Sequence, residues 1–84
     1  MSINGNLLAA GLEIRRLREA AKLSQEQLAE RANLHRNYIG LIERGERNAT
    51  LTALFQIASA LNITLGALLG GVAGPADPND DPDA

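Results

Sequence analysis

The sequence predicts an all-α domain built from five short helices. Three observations point that way. Apolar residues return at three- and four-residue intervals along most of the chain, and nowhere alternate with polar ones as a half-buried strand requires. Side chains that cap helix N-termini (Ser24, Thr50 and Thr64) stand just ahead of such runs. Residues that accept left-handed backbone (Asn33, Gly45 and Asn62) stand where the runs stop.

Taken in order, residues 1–6 read as a frayed start. The first helix begins near Leu7, with Leu7, Ala10, Ile14, Leu17 and Ala21 on its apolar side and Glu13, Arg15, Arg16, Arg18 and Glu19 on the others, and should end near Lys22. Ser24 opens the second helix, and Gln27 three residues on completes a capping-box pattern. Its apolar stripe is narrow: Leu28, Ala29 and Ala32, with Asn33 as the stop. Only a tight turn fits before the third helix, residues 36–44, which Gly45 ends. The fourth follows Thr50 and carries Leu51, Leu54, Phe55, Ala58 and Leu61. Thr64 caps a short fifth helix, "LGALLGG". One domain is therefore expected over residues 7–72, followed by a tail at 73–84.

Composition narrows the function. With one Phe, one Tyr and no Trp, the core has to be aliphatic. The absence of cysteine removes disulfide frameworks, thiolate catalysis and cysteine-ligated metal, and the single histidine, His35, makes no zinc site alone. There is no Gly-rich phosphate loop and no acidic cluster on a structured element, so an enzyme is not expected, nor a cofactor. No run approaches a membrane span and nothing resembles a secretory signal, so a cytoplasmic protein without a membrane partner is expected. The formal net charge of −2 conceals an asymmetry. Asp77, Asp80, Asp81 and Asp83 crowd the tail, leaving a domain with eight basic and six acidic residues. The tail's Pro, Asp and Gly content predicts disorder; it either solubilises the chain or competes with an anionic ligand.

The stretch "NLHRNYIGLIERGERN" carries the chemistry. At about 100° per residue, Tyr38, Ile39 and Ile42 face one side, the core, and Arg36, Asn37, Gly40, Leu41 and Arg44 face the other. A merely solvated face would use better helix formers than Gly and Asn; Gly in mid-helix costs about 1 kcal/mol against Ala. DNA suits the pattern. Arg forks onto guanine O6 and N7, Asn pairs with adenine N6 and N7, and an exposed Leu41 meets a thymine methyl. On this reading Gly40 lets the helix sink into the groove, and Gln25 donates to a phosphate. The short turn between the second and third helices fits a helix-turn-helix.

The run "LSQEQLAERANLHRNYIGLIERGERNATLTALFQIASALNITLGALL" resembles the helix-turn-helix domain of the phage-repressor (Cro/C1, XRE-like) family, a lambda-repressor-like fold, over residues 12–69. Within that family "NLHRNYIGLIERGERN" is most similar to controller proteins of restriction–modification systems, small dimeric regulators without a separate ligand domain. The resemblance implies that Arg36, Asn37 and Leu41 read bases and that Gln25 clamps a phosphate. It also implies that Tyr38, Arg47 and Asn48 touch the backbone or the region between half-sites, and that Arg18 and Glu43 form a buried ion pair. Asn33 and Asn62 replace glycines more usual in the family. His35 stands where Ser or Thr usually caps the recognition helix, and either donates to a phosphate or acts as a poorer cap.

The expected function is thus a sequence-specific regulator that binds a pseudo-palindromic operator on double-stranded DNA as a homodimer, with RNA polymerase as a further candidate partner. The competing reading is an antitoxin whose main partner is a toxin, disfavoured because the only added segment is the apolar-poor tail. Ile63, Leu65, Leu68, Leu69 and Val72 offer more apolar surface than one short helix needs. Some belong to the core, and Ile63, Leu65, Leu68 and Leu69 are the dimer candidates.

Overall fold

The computed structural model of the chain describes residues 2–70. Among these there are five helices and no strand: α1 (Ser2–Ala20), α2 (Gln25–Ala32), α3 (Arg36–Glu43), α4 (Leu51–Ala60) and α5 (Leu65–Gly70). The acidic tail and Val72 lie outside the described residues. Helix α1 begins at Ser2 rather than near Leu7, so it takes in residues expected to precede it.

The caps form as the sequence anticipates. Ser24 Oγ accepts from the Gln27 N–H at 3.0 Å, and Gln27 Oε1 accepts from the Ser24 N–H at 2.8 Å, a complete capping box. Thr50 Oγ1 accepts from the Ala53 N–H at 3.0 Å, and Thr64 Oγ1 from the Ala67 N–H at 2.9 Å. Asn33 (φ 58), Gly45 (φ 72) and Asn62 (φ 61) are all left-handed. Lys22 (φ 61) is a fourth such residue, which the sequence did not signal. Left-handed backbone at a Lys costs about 1 kcal/mol or more. Backbone bonds close the turn, from the Lys22 N–H to the Glu19 carbonyl at 2.9 Å and from the Leu23 N–H to the Arg18 carbonyl at 3.1 Å, and the Arg18 Nη1 donates to the Leu23 carbonyl at 2.8 Å just past it.

The core is aliphatic: Ile14, Leu28, Ile39, Ile57 and Leu68 are its largest fully buried side chains, filled out by Ala29, Ala32, Ile42, Ala53 and Ala58. Helix α3 is packed by α1 and α2, α2 also packs on α4, and α5 closes the far end against α4 and α1. At the α1–α3 crossing the backbones nearly touch. A Cβ at Gly11 would fall inside hard contact with the Ile42 carbonyl oxygen and 2.7 Å from that of Glu43. Gly11 is therefore the residue that admits α3, a role its place in mid-α1 did not reveal.

Two apolar faces differ from expectation. On α4, Ala53, Ile57 and Ala58 are buried, whereas Leu51 (61% exposed) and Phe55 (54%) form a second, outward stripe four residues apart. Leu51 and Phe55 fit helical spacing as well as the core residues do, and spacing alone does not say which of two stripes turns inward. On α5, Leu68 is 1% exposed within a single chain, so it has no surface left to give a partner and is corrected from interface to core. Ile63 and Leu65 are half-buried against the same core, and Leu69 remains outside at 41%.

Candidate nucleic-acid interface

Helix α3 is held by its inner face. Ile39 and Ile42 are buried beside Glu43, an unusual buried carboxylate. Burying an unpaired carboxylate is costly, and here it is paired three ways. Arg18 Nε donates to Glu43 Oε2 at 2.7 Å, Arg18 Nη2 to Oε1 at 3.0 Å, and Gln25 Nε2 to Oε1 at 3.0 Å. The expected pair is thus present as a bidentate bridge, with a third partner that the sequence had assigned to a phosphate. Glu43's hydrogen bonds, above all, raise the pKa of the Arg18 guanidinium beyond its ordinary value, against the opposing effect of burial. One carboxylate thereby ties the C-terminal end of α3 to α1 and to the first residue of α2.

The outer face begins at the turn formed by Asn33, Leu34 and His35, too short to let α2 and α3 rearrange independently. His35 is the N-cap of α3: its Nδ1 accepts from the Asn37 N–H at 3.1 Å. A ring nitrogen that accepts carries no proton, so the neutral ring carries its proton on Nε2, a donor left over for another acceptor. Capping and donating are therefore compatible roles for one ring. Arg36 and Asn37 follow directly, both exposed. Arg36 Nη1 lies 4.0 Å from Glu26 Oε1, a loose pair in which both side chains remain largely exposed.

Further along, Leu41 is half-buried rather than free. Gly40 also differs from expectation. It lies on the outer side of the helix and yet is buried, because the Arg44 guanidinium and the Gln25 amide lie over it. Arg44 is exposed and donates from Nε to Glu46 Oε1 at 3.1 Å. Past the helix, the Arg47 guanidinium sits 5.8 Å from the centre of the Tyr38 ring. The Tyr38 hydroxyl accepts from the Thr50 N–H at 3.1 Å, so its own proton is available outward. Tyr38 thus serves core, loop and surface together. Asn48 is exposed in the same loop.

The sequence-assigned residues fall into two groups, with the half-buried Leu41 between them: His35, Arg36 and Asn37 at the start of α3, and Gln25, Arg44, Tyr38, Arg47 and Asn48 around its later turns and the following loop. What sequence reasoning missed are the acids beside the arginines. Glu46 was legible two residues from Arg44; Glu26, ten residues before Arg36, gave no local signal. Among the described residues no group of three or more His, Cys, Asp or Glu gathers as a metal site, and no helix is long and apolar enough to cross a membrane.

Comparison with known proteins agrees with this geometry. Residues 14–68 match the model of the HTH_3 family, described as helix-turn-helix. The control protein C.SmaI of Serratia marcescens is 54% identical over 56 residues, which cover 67% of this chain and 67% of that protein. The immunity repressor protein of Bacillus phage phi105 is 43% identical over 63 residues, 75% of this chain but 44% of the repressor. Among solved structures, the restriction–modification controller protein C.AhdI from Aeromonas hydrophila superposes with a TM-score of 0.75 at 42% identity, covering 76% of this chain and 97% of that one.

Proposed function

Because the chain belongs to the HTH_3 helix-turn-helix family, a family of DNA-binding transcriptional regulators, we propose that it reads a pseudo-palindromic operator as a homodimer and controls restriction–modification genes. The observation that supports this most directly is the division of labour on α3. Its inner face is locked by the Arg18–Glu43–Gln25 network, while Arg36 and Asn37 stand exposed at its N-terminal end, the part of a recognition helix that meets base edges. The control and controller proteins among its relatives support the restriction–modification assignment. Arg36 and Asn37 read bases, with Leu41 beside them. His35, Gln25, Tyr38, Arg44, Arg47 and Asn48 hold the backbone. Such a regulator works in the cytoplasm, and RNA polymerase becomes a partner where the operator adjoins a promoter.

A single module this small reads only a few base pairs, and a two-fold dimer doubles the site. The surface that suits a second copy is the outward stripe of Leu51 and Phe55 on α4, with Leu69 on the adjoining α5. Large exposed apolar side chains at helical spacing mark an interface better than the buried Leu68 does. Recovery of bound duplexes from a random pool tests the whole reading. The expected product is a two-fold symmetric site with half-sites about one helical turn apart. A pool that never enriches overturns DNA reading. Phe55→Asp should leave a folded monomer by sedimentation with weakened binding to the full site; a wild type that stays monomeric on and off DNA overturns the dimer.

A further inference from the structure

Most exposed cations of the domain already face a carboxylate. Arg15 meets Glu19, Arg16 meets Glu13, Arg44 meets Glu46, and Arg36 stands loosely beside Glu26. Among the described residues Lys22, Arg31 and Arg47 are exposed and in no ion pair. Arg47 differs from the other two in being backed. Its guanidinium stands 5.8 Å from the Tyr38 ring centre, and the Tyr38 hydroxyl, which accepts from the Thr50 N–H, has its own proton to give. An ordered cation beside a hydroxyl donor, with the exposed Asn48 next in the chain, is the chemistry that takes a carboxylate. The tail supplies carboxylates: Asp77, Asp80, Asp81 and Asp83, with no base among them.

We propose that this acidic segment docks on the Arg47–Tyr38 corner of its own chain and has to leave before another anionic ligand enters. The acids lie outside the described residues, and their distance along the chain bounds their reach. Asp77 and Asp83 stand seven and thirteen residues past Gly70, so they extend at most about 25 and 47 Å from it. The way back from Gly70 to Arg47 runs along α5 and α4, about 9 and 15 Å of helix. Because α5 packs on α4, the straight path is shorter than the two laid end to end, and the later acids span it. Exposed ion pairs are weak one by one, but a tether holds these carboxylates at an effective concentration on the order of millimolar, where several weak contacts suffice. The docking stands on the chain's own charges; the competition with DNA rests on the DNA-binding reading above.

Two measurements on the full chain test this, with Asp77, Asp80, Asp81 and Asp83 all changed to Asn as the neutral form. Without DNA, at about 50 mM salt, the NMR resonances of the Arg47 Nε–H and the Thr50 N–H should differ between wild type and the neutral form, and should coincide at about 0.5 M salt. Spectra that already coincide at low salt, or that differ at Lys22 or Arg31 instead, overturn the docking. Differences that fade on dilution assign the segment to a second copy and overturn docking within the chain. On the enriched duplex the neutral form should bind about three- to tenfold more tightly at low salt, with a steeper dependence on salt. That gain should vanish in an Arg47→Ala background. A gain of equal size with and without Arg47 means diffuse repulsion between tail and DNA, and overturns the seat. If no duplex enriches, the DNA-binding reading falls, while the spectra still decide the docking.

Discussion

The two faces of α3 are built to opposite rules. The inner face carries Ile39, Ile42 and Glu43, each almost without exposure, and both carboxylate oxygens of Glu43 are bonded. The outer face carries Arg36, Asn37 and Arg44, all exposed, and the acidic partners of the two arginines, Glu26 and Glu46, are themselves exposed and so easily displaced. A helix that reads another molecule needs both properties. Its position must be fixed, so that contacts fall in register, and its reading groups must be cheap to strip from their resting partners. Surface ion pairs contribute about 0–1 kcal/mol. A buried pair broken on one side costs several times more.

The comparison can be broken first on the inner face, where the largest effect is expected. Glu43→Ala strands the Arg18 guanidinium among apolar groups and frees Gln25, and should cost about 3–5 kcal/mol. Urea denaturation would report it as a lowered midpoint. Arg18→Met with Glu43→Leu should be much milder, because no charge is left without a partner. An unchanged midpoint in the single variant would mean that the bridge does not fix α3.

Next comes the backbone seam. Gly11→Ala places a methyl against the Ile42 and Glu43 carbonyls, which cannot turn aside as a side chain can. Forcing α1 and α3 apart should cost about 1–3 kcal/mol, seen as a lower Tm. It should also weaken DNA binding indirectly, since the displaced end of α3 bears Glu43 and Arg44. A variant as stable as the wild type would show that the crossing has slack.

The outer face should respond the other way. Arg36→Ala should leave the denaturation midpoint within about 0.5 kcal/mol and cost about 1–3 kcal/mol on the operator, with relaxed preference at one base position. Competition against a set of point-substituted duplexes measures this. Retention of preference at every position would remove Arg36 from the reading set and leave Asn37 as the principal reader.

This contrast also explains what could be read in the sequence. The helices, caps and left-handed stops at Asn33, Gly45 and Asn62 are local: each depends on a few neighbouring side chains, and the sequence displays them side by side. The Arg18–Glu43 bridge spans 25 residues and was reached through a family resemblance, not through spacing. Gly11 was illegible because its reason lies on another element, the α3 backbone, and Lys22 because a lysine is not a residue type that signals a left-handed stop. Leu68 was misassigned, and the outward turn of Phe55 went unmarked, for a related reason. Helical spacing shows that a stripe exists, and only the packing of α4 and α5 decides which stripe faces inward. Gly40 was noticed for the right anomaly and given an incomplete cause, since the covering group is Arg44 of the same helix.

The smallest effect sharpens the boundary between reading and holding. Arg47 lies in the loop after α3, its guanidinium 5.8 Å from the Tyr38 ring centre. At an exposed site such a contact contributes about 0.5–1 kcal/mol, so Arg47→Ala should barely move Tm. The ring on which it rests belongs to a tyrosine anchored through the Thr50 N–H, which places the cation beside the N-terminal end of α4 rather than over the base-reading residues. On the DNA-binding reading proposed above, a cation placed there would meet phosphate and release a counterion. Arg47→Ala should therefore lower affinity by the same factor on every duplex and reduce the slope of log affinity against log salt by about one unit. Titrations at several salt concentrations, on the operator and on its point-substituted set, separate it from Arg36, whose loss falls on one base position. An unaltered slope would mean that Arg47 stays on the Tyr38 ring in the complex. A changed base preference would extend the reading face into the loop.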